Sequence, residues 1–361
     1  MATTNATISA VYPAQGDGGR AESDEQFQAR MLRFVSRTFA LTIPQLPDAL
    51  REAVGNGYLL CRIVDTIEDD AVMPAPEKRR FCEMFTAVVE GRADAAVFAA
   101  GLEAALGPAT PPAERDLIIA TPRVIAIMNG FRPAQQEALR LCVAAMAEGM
   151  ATFQERKDPA GLPTLKDMDR YCYYVAGVVG EMLTRLFCDY STAIARQRDE
   201  LMRLAVSFGQ ALQMTNILKD IWEDRERGAC WLPRDVFASH GFDLRELSAD
   251  RPHPGFEEGL ADLIGVAHGH VRNALRYTLL LPPQETGLRN FCLWALGMAI
   301  LTLRKINKNR HFVSGRQVKI TRRSVKATIA VSQWTVRNDR LLRFLFRLIG
   351  AGVPSTTVEI G

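Results

Sequence analysis

Apolar positions recur along this chain at the three- and four-residue spacing of helices, and Val, Ile and Thr do not alternate with polar residues as a half-buried sheet requires. Breakers punctuate the pattern at Pro74-Ala75-Pro76, Gly107-Pro108, Pro111-Pro112, Asp158-Pro159, Pro252 to Gly255 and Pro282-Pro283, and the stretches between them have helical length. No repeat of fixed short period is visible. The pattern predicts an all-α fold: a single domain of long helices surrounding a central cavity. Residues 1–24, rich in Ala, Thr, Gly and Asp, are expected to form a disordered arm; 25–335 form the domain; 336–361 form a basic amphipathic C-terminal segment. No run reaches the length that spans a bilayer, and the nearest, Phe291 to Leu303, fits a core helix better.

Two acidic clusters interrupt the apolar pattern. The first is Asp65-Thr66-Ile67-Glu68-Asp69-Asp70 and the second is Asn216-Ile217-Leu218-Lys219-Asp220-Ile221-Trp222-Glu223-Asp224. On a helix Asp65, Glu68 and Asp69 share one face, and so do Asn216, Asp220 and Asp224. Like charges at that spacing destabilise a bare helix by about 0.2–0.5 kcal/mol per pair. The flanks (Val54, Leu59, Leu60, Ile63 and Val64; Leu212, Met214, Ile217, Leu218 and Ile221) predict burial, and a buried carboxylate needs a partner or a metal. A set of oxygen ligands without Cys or His points to Mg²⁺ completed by water and phosphate. The competing reading is a pair of solvated acidic faces.

Charge changes the picture at the C-terminal end. From Leu301 onward 13 Lys/Arg face only Asp339 and Glu359, a net +11, which leaves residues 1–300 at −8 within the overall +3. A basic tail on an acidic body suits a phosphate-bearing ligand or anionic lipid. It has neither zinc-finger spacing nor an RNA-binding aromatic signature, so nucleic acid is not expected. The seven cysteines form no CxxC pair and predict reduced thiols in a cytoplasmic protein. His268 and His270 diverge on a helix and are expected to be structural. In Tyr171 to Tyr190, Gly177 and Gly180 make room either for a neighbouring helix or for a ligand along an oily pocket.

A cavity with two Mg²⁺-binding faces and apolar walls suits an allylic diphosphate, whose leaving group the cations neutralise while the walls hold the hydrocarbon and exclude water. The residues that carry this chemistry resemble the squalene/phytoene synthase family. They are Ser36-Arg37-Thr38-Phe39; Tyr58-x-x-x-Arg62-x-x-Asp65 running into the first acidic cluster; Tyr171-Cys172-Tyr173-Tyr174-Val175-Ala176-Gly177-x-x-Gly180; and Gln213-x-x-Asn216-Ile217-Leu218-Lys219-Asp220-x-x-Glu223-Asp224. The resemblance runs in order from about residue 30 to 325. It implies an all-α isoprenoid-synthase fold and head-to-head coupling of two prenyl diphosphates through a cyclopropyl intermediate. The ending, with Phe291-Cys292, Met298-Ala299-Ile300-x-Thr302-Leu303 and Phe312-x-x-Gly315-x-x-Val318-Lys319-Ile320, is similar to the squalene-forming branch, which reduces the coupled product with NADPH.

The roles implied by the resemblance are these. Asp65, Glu68 and Asp69 bind Mg²⁺ with one farnesyl diphosphate, and Asn216, Asp220 and Asp224 bind the second metal group. Arg37, Arg62 and Lys219 contact diphosphate oxygens. Tyr171 matches the tyrosine assigned to proton removal, assisted by the departing diphosphate or a nearby Arg. Ser36, Phe39, Tyr58, Val175, Gly180, Gln213, Arg227 and Phe291 line the substrate site. Lys319 and Arg322 hold the cofactor phosphate, a basic membrane-surface patch being the competing reading there. The chain departs from its relatives at Ala229, where many have Arg, so Arg227 is the expected substitute. It departs again at Lys319-Ile320-Thr321-Arg322, where the cofactor contact shifts by one residue. No counterpart of the eukaryotic C-terminal membrane anchor is expected. Val336 to Ile349 can lie on the inner face of a membrane or close onto the body. Two alternatives stay open: a reductant-independent relative that makes dehydrosqualene or phytoene, and a non-catalytic isoprenoid-binding protein.

Overall fold

Prolines and side-chain caps fix where the helices begin. Pro112 and Pro254 stand in the first turns of their helices, where the missing N–H has no intrahelical partner to lose. Ser23 with Gln26, and Thr164 with Asp167, form reciprocal capping boxes that satisfy otherwise orphaned backbone donors. In a computed structural model of the chain, which describes residues 22–36, 38–155 and 158–360, the result is the all-α architecture expected; among the described residues the one β contact is an isolated bridge between Leu162 and Pro233.

The helices that matter here are α1 (Asp24–Val35), α2 (Asp48–Asp69), α3 (Ala75–Val89), α4 (Pro133–Glu155), α5 (Leu165–Cys172), α6 (Val178–Tyr190), α7 (Arg198–Lys219), α8 (Ile221–Glu226), α9 (Pro254–Leu280), α10 (Thr286–Lys308), α11 (Arg322–Thr335) and α12 (Asp339–Ile349). Helix α7 runs beside α9 and α6, and α4 beside α2, α3 and α6. Two apolar clusters form. One is built largely on α1 to α4 and α6, the other on the end of α7, α9 and the end of α10, and Val175 and Leu212 touch both. The acidic end of α2 rides on the first cluster through Ile63, Val64 and Ile67. The acidic end of α7 and α8 ride on the second through Ile217, Leu218 and Ile221.

Two glycines let the central helices close to backbone contact. A Cβ on Gly180 would stand 2.2 Å from the carbonyl oxygen of Ala205, and one on Gly209 would stand 2.1 Å from that of Ala176. Between α5 and α6 the chain widens into a five-residue π-helical turn, Tyr173–Gly177, which sequence periodicity did not predict. Such a turn shifts the register of Tyr171 against α6.

The N-terminal boundary differs from expectation, and the C-terminal segment closes onto the body, one of the two readings its sequence allowed. Residues 22–24 belong to the body and not to an arm: Ser23 caps α1, and Arg123 pairs with Glu22 at 3.0 Å and Asp24 at 3.1 Å. Residues 1–21 lie outside the described part. Helix α10 spans 23 residues and is long and apolar enough, by length and composition, to cross a membrane, contrary to the sequence reading; 78% of its apolar window is buried inside the fold, which makes it the core helix expected around Phe291 to Leu303. The C-terminal segment is tied down through Arg289, which is fully buried on α10. Its guanidinium donates to the carbonyls of Leu279, Leu281 and Val336 and pairs with Asp339 at 2.6 Å.

Arg289→Met strips these carbonyls of their donor, and the expected loss is about 3 kcal/mol of stability. Thermal denaturation followed by circular dichroism should show a midpoint several degrees lower. An unchanged midpoint would mean the arginine does not tie α12 to the body.

Candidate active site

Helix α2 delivers three carboxyl groups in its last two turns. Asp65 faces Arg62 at 3.5 Å, and the same guanidinium pairs with Glu114 from a short helix 52 residues further on. Glu68 is buried. Its Oε1 accepts hydrogen bonds from Gln154 Nε2 at 3.1 Å and from the Tyr171 hydroxyl at 3.3 Å, while its main-chain oxygen accepts from Lys78 Nζ at 2.5 Å. Asp69 is exposed. Asp70 turns away: it accepts from the backbone N–H groups of Val72, Met73 and Gly107 and from the Thr110 hydroxyl, which hold its carboxyl below the usual range against the opposing effect of burial.

The second cluster is not one continuous helix, as the spacing suggested. Asp220 leaves helical geometry at φ −103°, ψ 19° and separates α7 from α8. The i to i+4 bonds nonetheless persist across the break, from Asp220 N to Asn216 O and from Asp224 N to Asp220 O, both 2.9 Å. Asn216, Asp220 and Asp224 therefore keep their spacing. Lys219 Nζ supplies a cation, 2.9 Å from Asp220 Oδ2 and 3.3 Å from Asn216 Oδ1. Glu223 is occupied otherwise, accepting from the backbone of Gly315 at 2.9 Å and from Ser314 Oγ at 3.4 Å. A Cβ at Gly315 would come within 2.9 Å of Lys219 O, so only glycine lets the late chain sit this close to the acidic helix.

Electrostatics tie the two clusters together. Burial pushes Glu68 up to about 8, with Asp69 adding to it. Burial pushes Asp65 up to about 7 against the opposing pull of Arg62. Burial, then Asp220, then Asp69 on α2 raise Asp224 to about 6. Tyr171 is held well above its ordinary value by burial first, then by Glu68, Asp69 and Asp224. Carboxylates from both clusters thus act on one phenol. That phenol lies against Trp231, rings parallel within 7° and centroids 4.0 Å apart, and Phe153 meets it edge-on at 5.3 Å.

The remaining sequence-predicted residues divide into several groups. Ser36, Phe39 and Tyr58 come together: Phe39 N donates to Ser36 Oγ at 3.0 Å, the Tyr58 hydroxyl donates to Val35 O at 3.2 Å, and the two rings lie 5.0 Å apart, one turn of α2 before Arg62. Arg37 lies outside the described residues. Val175, on the π-helical turn, and Gln213, on α7, are half-buried near the seam of the two clusters. Arg227 is exposed, and its charge opposes the rise that burial imposes on Asp224. Gly180 faces the backbone of Ala205, where a Cβ would stand 2.2 Å from the carbonyl oxygen, so its missing side chain lets the helices close. Phe291 is likewise a core residue, 3% exposed and edge-on to Phe187 at 6.3 Å. Lys319 and Arg322 are exposed on the segment that follows Gly315, with Lys305 Nζ donating to Lys319 O at 2.5 Å. His268 and His270 are structural, bonded to Pro354 O at 2.9 Å and Ser207 Oγ at 2.7 Å. Sequence reasoning missed Glu114, Gln154 and Trp231, whose partners lie 52 to 86 residues away, where no spacing rule reaches.

Among the described residues no three His, Cys, Asp or Glu side chains converge tightly enough to hold an ion unaided. The donor set fits Mg²⁺ all the same. It is entirely oxygen, three of its carboxyl groups are raised by burial and mutual repulsion, and Mg²⁺ takes few protein ligands and completes its shell with phosphate oxygens and water.

Comparison with known proteins gives a consistent result. The model of the squalene/phytoene synthase family matches residues 32–324. The squalene synthase of Eremothecium gossypii is 31% identical over 295 residues, 81% of this chain and 64% of that protein. That of Schizosaccharomyces pombe is 28% identical over 302 residues, 82% and 63% of the two chains. The chain thus spans a little under two thirds of the length of these relatives. Among solved structures, TcSQS with the ligand BPH1237 matches with a TM-score of 0.74 at 26% identity, over 93% of this chain and 94% of that one. A dehydrosqualene synthase in complex with ligand matches at a TM-score of 0.62 and 20% identity, over 87% and 96%, and bears on the fold alone.

The raised carboxyl groups set a pH dependence. A carboxyl that is less acidic folded than unfolded loses its proton first in the unfolded state, so stability falls as pH rises between the two values. With Asp65, Glu68 and Asp224 raised, the metal-free protein should lose thermal stability between about pH 5 and pH 8. Glu68→Gln should flatten the slope, and Mg²⁺ with inorganic diphosphate should do the same. A profile that stays level or rises in chelator would contradict the burial of these groups.

Proposed function

The chain belongs to the squalene/phytoene synthase family, and from that premise we propose that it joins two farnesyl diphosphates head to head, through presqualene diphosphate, and reduces the product with NADPH to squalene. The observation that carries the reading is Tyr171, a buried phenol hydrogen-bonded to one acidic cluster and within the field of the other. Asp65, Glu68 and Asp69 would hold Mg²⁺ and the first diphosphate; Asn216, Asp220 and Asp224 would hold the second group. Bound Mg²⁺ would supply Lewis-acid assistance to diphosphate departure, and NADPH would supply hydride.

The chain's own residues would do the rest. Arg62, braced by Glu114, and Lys219 present fixed cations to diphosphate oxygens, and Arg37 is assigned the same task. Tyr171 keeps its proton at neutral pH, so it removes a proton from the substrate only as its own is taken over by the departing diphosphate. Glu68 fixes the direction of the phenol. The faces of Trp231 and Phe153 stand where they can stabilise a neighbouring carbocation, and the buried surroundings keep water from quenching it. Ser36, Phe39, Tyr58, Val175 and Gln213 are assigned to the substrate walls, and Lys319 and Arg322 to the cofactor phosphate. The reading extends to a cytoplasmic location, supported by seven free cysteines, with peripheral membrane contact through the basic C-terminal helices.

Incubation with farnesyl diphosphate and Mg²⁺, with and without NADPH, followed by mass spectrometry of the hydrocarbons, tests the reading. Squalene that requires NADPH is the expected product; a C40 hydrocarbon made from geranylgeranyl diphosphate, or no turnover, would overturn it. Asp220→Ala and Tyr171→Phe should each lower turnover by about 100-fold or more while leaving the thermal midpoint near that of the parent.

Lys319→Ala should slow formation of squalene while presqualene diphosphate accumulates. Equal loss of both half-reactions would remove Lys319 from the cofactor site.

A further inference from the structure

Four arginines border a groove that the proposed chemistry leaves unused. The groove, about 740 Å³ in volume, runs between α9 and α12, with the chain beyond α12 along it. Arg272 and Arg276 stand on the α9 side and Arg343 and Arg347 on the α12 side. Arg272 donates to Ser355 Oγ at 3.3 Å, and Arg276 has only an exposed contact with Glu200 at 3.6 Å. Arg343 and Arg347, one helical turn apart, are exposed and have no acidic partner among the described residues. The one acid of α12, Asp339, is taken by the buried Arg289. Among the described residues Glu200 is the one acid paired with these four arginines, so the face keeps a net positive charge.

Exposed apolar side chains stand on α12 itself and on α11, the helix that precedes and touches it. On α12 Phe344 is 59% exposed and Leu348 57%; on α11 Trp334 is 82% exposed and Val331 43%. Arg340, Phe344 and Leu348 follow one line of α12 at i, i+4, i+8, with Arg343 and Arg347 on the neighbouring line. Leu342 is buried and Phe346 rests against the core, so the helix is held down by a third line. A cationic stripe next to an unburied aromatic and aliphatic stripe is the surface of a helix that lies in the plane of a membrane interface.

We propose that α11 and α12 dock on a bilayer rich in anionic phospholipid. Trp334, Phe344 and Leu348 enter the headgroup boundary, and one lipid phosphate sits in the groove between Arg272 and Arg276 on one side and Arg343 and Arg347 on the other. This rests on the membrane contact included in the reading above and assigns it residues and a lipid class. Charge favours this occupant. Residues 301–361 carry +11 on a body of −8, which turns this end toward an anionic plane and the body away from it. A second copy would meet the face with the same sign of charge, and a free phosphate has no use for the exposed Trp334, Phe344 and Leu348.

The test is flotation of the full chain with vesicles of phosphatidylglycerol and phosphatidylcholine, against vesicles of phosphatidylcholine alone. Binding is expected only with the anionic lipid. It should weaken about tenfold or more in Arg343→Glu/Arg347→Glu and in Trp334→Ala/Phe344→Ser, with circular dichroism and turnover of farnesyl diphosphate in detergent unchanged. Equal binding to both vesicles, no binding, or full binding by the charge-reversed variant would overturn the proposal. So would competition by millimolar inorganic phosphate together with indifference to Trp334→Ala/Phe344→Ser, which would make the groove a site for a soluble anion. Loss of turnover with anionic-lipid binding intact would count against the catalytic reading and leave this one standing.

Discussion

Carboxyl groups brought together inside an apolar frame are the constraint on which the rest of this structure depends. Asp65 and Glu68 on α2 and Asp224 on α8 are each less acidic than a solvated carboxyl, because burial penalises their charge and neighbouring acids add to the penalty. A fold gains nothing in stability from such a grouping. Arg62, Lys219 and Lys78 offset it only in part, at Asp65, at Asp220 and at the backbone of Glu68. The remaining demand is for positive charge from outside the chain, and a cation that also binds phosphate answers it.

The helical frame exists to hold that grouping against its own repulsion. Two apolar clusters each carry one acidic segment, and the π-helical turn at Tyr173–Gly177 lies at their seam, placing Tyr171 where both segments act on it. Gly180 and Gly209 allow α6 and α7 to close to backbone contact, which fixes the depth of that seam. On the far side Gly315 seats the late chain on Glu223, and Trp222 Nε1 donates to Phe312 O at 2.7 Å, so the segment that leads to Lys319 is built onto the second acidic helix.

Much of this was legible in the sequence, for physical reasons that also mark where legibility ended. The i, i+3, i+4 spacing of Asp65, Glu68 and Asp69 within an apolar run predicted a helix presenting acids from a buried frame, and α2 does so. The same rule read Asn216 to Asp224 as one helix. It missed the break at Asp220, because a bend that preserves both i to i+4 hydrogen bonds leaves no mark in periodicity. The glycines of Tyr171 to Tyr190 announced close approach, but not of what: Gly180 meets the backbone of Ala205 on the neighbouring helix. Phe291, assigned to the substrate site by resemblance, is buried against Phe187, a contact that sequence does not foretell. Contacts between distant segments, such as Glu68 with Gln154, Arg62 with Glu114 and Tyr171 with Trp231, have no local signature, since tertiary folding alone decides them. Asp70 shows the opposite trap. It looks like one more ligand of the cluster, and it is spent on backbone donors of the following turn.

The central claim is that both acidic segments act on one bound group. Calorimetric titration of the metal-free protein with Mg²⁺ in the presence of inorganic diphosphate, repeated for Asp65→Asn and for Asp224→Asn, examines it most directly. The account predicts binding that requires Mg²⁺ and diphosphate together and that is lost or greatly weakened in each single variant. Undiminished binding in either variant would mean that one segment suffices, and would contradict it.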